Sequence, residues 1–170
     1  FRSTQGRYDE ALELLTEGFG GMRTALGDAH PDVITAMVDI ARVLFDLRRY
    51  DESDAYASTA YELALGIADN HRYIQRALNA RGRVALARRD YDAAERFVSE
   101  EIERLTSQFG PEHARVSTAQ GNLALILFRA GRPTEAEAML REAYAAQMNS
   151  RGSDHPMTLS LLNNLGGIIR

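Results

Sequence analysis

The side chains in this sequence best suited to ligate a metal or carry a proton are its four histidines, and they keep a beat. His30, His71, His113 and His155 are spaced by 41, 42 and 42 residues. A shared zinc site would need their ring nitrogens about 2.0–2.1 Å from one ion. Equivalent residues of successive helix pairs stand two helix diameters apart, roughly 16–20 Å, so the four cannot converge. The spacing does not resemble HExxH or another helical zinc motif. Asp154 beside His155 leaves a site within one joint as the alternative reading. The expected role is structural, with each histidine at the start of a helix where one repeat joins the next.

Other chemistry is equally thin. The chain has no cysteine, so thiol catalysis and disulfides are excluded. It has no phosphate-binding P-loop and no Gly-x-Ser-x-Gly elbow. The run GFGG, residues 18–21, follows a helical pattern rather than a strand, so it reads as a loosened or kinked helix. The pair Glu100 and Glu101 reads as a solvated helix face. No catalytic residue, metal or cofactor is expected.

A periodic histidine needs a periodic scaffold. GRYDEA, RRYDES, RDYDAA and GRPTEA begin at Gly6, Arg48, Arg89 and Gly131, again 41 or 42 residues apart. Small residues follow the same rhythm: Ala41, Gly82, Ala124 and Gly166 in one series, Ala11, Ser53, Ala94 and Ala136 in another. Within a period, residues 31–47 place Val33, Ile34, Met37, Ile40, Ala41, Leu44 and Phe45 at helical steps, and residues 52–67 do the same with Ala57, Ala60, Tyr61, Ala64 and Leu65. Asp51 and Glu52 open the second stretch, as the helix dipole favours. Gly27, Gly110 and Gly152 provide stops before the next start, and Ala68 departs from them. One helix pair cannot bury its apolar stripe alone, so pairs stack. The small residues let each pair nest.

The stretches HPDVITAMVDIARVLFDLRRYDES, ALNARGRVALARRDYDAAE and NLALILFRAGRPTEAEAMLREA resemble the tetratricopeptide repeat family, in the long variant of kinesin light chains and many bacterial signalling proteins. The resemblance implies an all-α, right-handed superhelical solenoid of antiparallel helix pairs. Residues 1–27 form a partial repeat that begins with the last turn of a first helix, residues 1–5. Residues 28–68, 69–110 and 111–152 are full repeats, and 153–170 give the first helix of another. The third repeat is the least regular. Arg81 stands where Ile40, Leu123 and Leu165 stand, and Glu101 where Gly18, Ala60 and Ala143 stand.

The resemblance also implies a concave groove lined by first helices. Counting around the small residue gives Thr35, Val38, Asp39, Arg42, Phe45 and Asp46 in one repeat, then Arg76, Asn79, Arg83 and Leu86. The next two contribute Thr118, Asn122, Leu125, Phe128 and Arg129, then Ser160, Asn163, Asn164 and Gly167. Arg76, Arg83 and Arg129 form a basic strip with Arg42 beyond it. Asparagine amides donate and accept, as a peptide backbone does, and arginine forks suit carboxylates. The expected function is a non-enzymatic protein-interaction scaffold that holds an extended, partly acidic peptide. The alternative is a regulatory or sensor segment of a larger bacterial signalling enzyme, such as a kinase or ATPase.

Composition bounds the partners. The net charge of −4 gives no pull towards nucleic acid or an anionic membrane. No apolar run reaches the roughly 18 residues of a span, so a cytoplasmic protein with a protein or peptide partner is expected. All 20 basic residues are arginine, which fits GC-rich coding and a bacterial source. The start at Phe1 suggests a fragment. Leu161, Leu162, Leu165, Ile168 and Ile169 leave an apolar, uncapped last helix, through which self-association is expected.

Overall fold

The computed structural model describes residues 2–67 and 70–168, with side chains from Arg7 onward. The described residues form eight helices and no strand: α1 (Arg2–Leu26), α2 (Pro31–Asp46), α3 (Tyr50–Leu65), α4 (His71–Ala87), α5 (Tyr91–Phe109), α6 (Ala114–Arg129), α7 (Pro133–Arg151) and α8 (Pro156–Ile168). They group into two compact units, Phe1–Ala87 and Arg88–Arg170. The division falls inside the least regular repeat, between its two helices.

In the first unit α2 packs on α1 and α3, α3 packs on α4, and the first helices α2 and α4 lie side by side. Val33, Ile34, Ile40, Leu44, Ile74 and Leu78 are fully buried large side chains, and Ala57, Ala60 and Ala64 are fully buried as well. The two small-residue series meet here. Ser53 is buried and its hydroxyl donates to the Ala41 carbonyl at 2.7 Å, so the helices of the pair approach closely. In the second unit α5, α6, α7 and α8 pack in succession, with α6 beside α8. Leu105, Val116, Ala119, Leu123, Leu127, Leu140 and Leu161 are buried there. Gly166, by contrast, is exposed and has no close neighbour, unlike Ala41, Gly82 and Ala124.

The turns explain the rhythm. Gly110 and Gly152 end their helices at φ 84°, ψ 160° and φ 83°, ψ 175°, a region open essentially to glycine alone. Inside each pair the reversal uses a left-handed residue: Gly131 at φ 81°, but Arg48 and Arg89 at φ 61°. Arg49 and Arg132, which follow two of these residues, each grip a glutamate in the next turn. Arg49 reaches Glu52 at 2.6 and 2.7 Å, and Arg132 reaches Glu135 at 2.7 Å through two nitrogens. These contacts hold the Glu52 and Glu135 carboxyls below their ordinary range and raise both arginines.

Several expectations are corrected. The trailing turn over residues 1–5 is not a separate element. The backbone of α1 is helical from Arg2 straight through Gly6, whose equivalents Arg48, Arg89 and Gly131 reverse the chain. Gly18, Gly20 and Gly21 lie within that same continuous helix, and a Cβ on any of them would meet nothing within 4 Å. Glu101 is not on a solvated face; it is 5% exposed. Arg81, in an apolar register position, is half-buried, with its guanidinium 3.4 Å from Asp54 and 5.9 Å from the Tyr61 ring. Ala68 and Ile169 lie outside the described residues.

Candidate functional site: the first-helix faces

Three of the four histidines are caps. His30 and His113 precede α2 and α6, and each Nδ1 accepts a hydrogen bond at 3.2 Å from the backbone N–H two residues on, at Asp32 and Arg115. His155 does the same for the N–H of Met157. Each ring so satisfies one of the N–H groups that a helix start leaves unpaired. His71 differs, being the first residue of α4, whose opening bonds go to the carbonyl of Asn70. The His113 ring also stacks on Phe109 at 4.5 Å, with Arg115 over the same phenyl ring.

The residues expected to line a groove fall on two faces, one in each unit. On α2–α4 the arginines do not form an open basic strip. Arg76 is half-buried and donates to Asp39 at 2.8 Å, while Arg42 lies 4.0 Å from the same carboxylate. Arg83 lies 3.9 Å from Asp46, with its guanidinium 4.3 Å from the centre of the Phe45 ring. Phe45 in turn leans on Tyr50 at 5.5 Å. Asn79 is exposed and Leu86 half-buried, but Val38 belongs to the core. The acids that pair with Arg76 and Arg83 are one helix pair away in sequence, 37 residues in the case of Arg76. Their presence on the face was readable, but their pairing was not.

On α6–α8 the structure brings Asn122 and Asn164 to a pocket of about 140 Å³. Its other walls are Ser117, Thr118, Gly121, Met157, Ser160 and Leu161. The Thr118 hydroxyl lies 2.9 Å from the Ala114 carbonyl and 3.7 Å from Met157 Sδ, which it can reach as a donor. A Cβ on Gly121 would sit 3.4 Å from Asn164 Nδ2, so the backbone of α6 lies directly against that amide. Asn163 is exposed but does not line the pocket. Leu125 and Phe128 follow along α6, 41% and 40% exposed, and Arg129 ends the helix exposed. Sequence reading missed Ser117, Gly121 and Met157, and placed Leu161 on the uncapped apolar side of the last helix rather than at the pocket. Gly121 carried a signal, being a glycine inside an otherwise strongly helical run.

None of the described helices is long and apolar enough to cross a membrane. No curated protein matches the chain in sequence. Among solved structures, two of a kinesin-light-chain-like protein from Podosopora anserina with nearly identical TPR-like repeats are similar. One, a single-substitution form, has a TM-score of 0.86 at 20% identity, covering 98% of this chain and 80% of that one; the other has 0.85 at 20%, covering 98% and 81%. BtubC (BKLC) from P. vanneervenii is similar with a TM-score of 0.75 at 15% identity, over 96% of this chain and 65% of that one. These likenesses give the fold class, an all-α helical-repeat solenoid. The tetratricopeptide repeat family matches over residues 1–72, 73–149 and 116–168. The chain belongs to the tetratricopeptide repeat family.

Proposed function

We propose that the chain is a non-catalytic protein-interaction scaffold that holds an extended peptide segment along its first-helix faces. Tetratricopeptide repeats are generally protein-interaction scaffolds. The observation that carries the reading is the pairing of Asn122 and Asn164 at one pocket beside exposed Leu125 and Phe128. Amides offer a donor and an acceptor to a peptide backbone, and the apolar pair offers area to bury.

A photo-crosslinking amino acid placed at Leu125 tests this against one placed at Leu14, which is exposed on α1, a second helix. Crosslinks to a protein partner from Leu125 and none from Leu14 are expected. The reverse pattern would move binding off the first-helix faces. Self-association through α8 is a second part of the reading, supported by Leu159 and Leu162 at 47% and 48% exposure. Sedimentation equilibrium should show a dimer that Leu162→Asp dissolves; a monomer at every concentration would remove this part.

A further inference from the structure

We infer that the recognising surface is the α6–α8 face, and that its occupant is a largely uncharged extended peptide. This occupant sets amide or hydroxyl side chains over the pocket, apolar ones on Leu125 and Phe128, and at most one carboxylate at Arg129. The inference rests on the groove reading above and names the ligand class and the half of the groove that takes it.

The two faces occupy equivalent register positions and differ in their charged groups. Where α2 has Asp39, α6 has Asn122; where it has Arg42 and Asp46, α6 has Leu125 and Arg129; where α4 has Arg76, α8 has Ser160. Phe45 and Phe128 stay aromatic. The α2–α4 face therefore pairs its charges internally, through Asp39 with Arg76 and Arg42 and through Asp46 with Arg83. An acidic segment arriving there would compete with Asp39 and Asp46 for arginines they already hold, and the three arginines exceed the two aspartates by a single charge, since Arg42 and Arg76 share Asp39. The α6–α8 face cannot build such pairs. Neither helix contains an acidic residue, and the pocket walls are hydroxyls, amides, a thioether and an apolar side chain. A pocket of about 140 Å³ has room for roughly four or five water-sized groups, the bulk of a short amide side chain. Arg129 is the charged group at the end of the run, two helical turns beyond Asn122, about 10 Å along the axis.

The test is selection of a random dodecapeptide phage library on the immobilised chain, followed by titration of the enriched peptides into isotopically labelled protein. Expected are sequences that combine Asn, Gln, Ser or Thr with Leu, Ile or Phe and carry no more than one Asp or Glu. Amide resonances of α6 and α8 should shift, and affinity should change less than about threefold between about 50 and about 300 mM salt, since few exposed charges take part. Asn122→Ala, an exposed position that leaves the core untouched, should weaken every enriched peptide. Runs of Asp or Glu whose binding disappears in Arg76→Gln/Arg83→Gln would overturn the inference and leave the groove reading standing. An empty selection, or peptides that shift only second-helix resonances, would overturn both.

Discussion

At the residue scale the informative positions are those where a repeat breaks its own rule. Thr158 occupies the register position of Val33, Ile74 and Val116 and is 1% exposed, and its hydroxyl has no hydrogen-bond partner. Gln147 occupies the position of Ala64 and Leu105. Its amide nitrogen donates to the Glu112 carbonyl and to Ser117 Oγ at 2.8 Å, while Oε1 is left unpaired. A buried polar atom without a partner costs about 1–3 kcal/mol. Thr158→Val keeps the shape and removes the hydroxyl, so it should stabilise the chain by about 1 kcal/mol, read as a higher urea midpoint at unchanged slope. A lower midpoint would mean the hydroxyl is satisfied in solution. The histidine caps make the opposite prediction. His30→Ala or His113→Ala should cost about 0.5–2 kcal/mol, as loss of a helix cap does, while His113→Asn should retain most of the stability by thermal melting. These roles were only half legible. The beat of the histidines exposed them as joint residues, but a cap is a matter of backbone direction at the helix start, which spacing does not encode.

At the element scale the turns carry most of the sequence's message. Outside α1 and Gly166, the helix spans, the small-residue nests and the glycine stops were readable because each is a local periodicity or a conformational demand. Arg48 and Arg89 hold a left-handed backbone that Gly131 adopts freely, and that conformation costs an ordinary residue roughly 1–2 kcal/mol. Glycine's extra freedom when unfolded offsets about 0.5–1 kcal/mol of this. Arg48→Gly and Arg89→Gly should therefore each stabilise slightly, by up to about 1 kcal/mol, and Gly131→Ala should destabilise. Opposite signs in denaturant melts would show that the arginine side chains matter more than their backbones. Charge sets the other element-scale behaviour. Arginine hydrogen bonds depress Asp28, Glu52 and Glu135 below ordinary values of 3.8, 4.5 and 4.5. Over the acid range the unfolded chain then binds more protons than the folded one. The stabilisation is present above the ordinary values and is lost as pH falls through the depressed ones. The melting temperature should drop below about pH 4.5, and Arg132→Gln should flatten that drop; an unchanged profile would show the exposed pairs to be energetically silent. What the sequence hid is pairing across helices. Arg76 and Asp39 were both on the expected face, yet only the side-by-side placement of α2 and α4 turns an open basic strip into a largely paired one.

At the scale of the whole molecule, the repeat keeps a frame and varies a surface. The same register positions hold ion pairs on α2–α4 and neutral polar groups with exposed apolar side chains on α6–α8. Recognition in such a frame follows from which positions are left open to a partner, and these gather on the second unit. The most direct measurement is isothermal titration of one selected peptide against three proteins: the unaltered chain, Asn122→Ala/Asn164→Ala and Arg76→Gln/Arg83→Gln, with helicity matched by circular dichroism. Loss of about tenfold or more in affinity for the asparagine pair, about 1.4 kcal/mol, with little change for the arginine pair, is the predicted result. An intact affinity for the asparagine variant with loss in the arginine variant would contradict the account, placing recognition on the charged face instead.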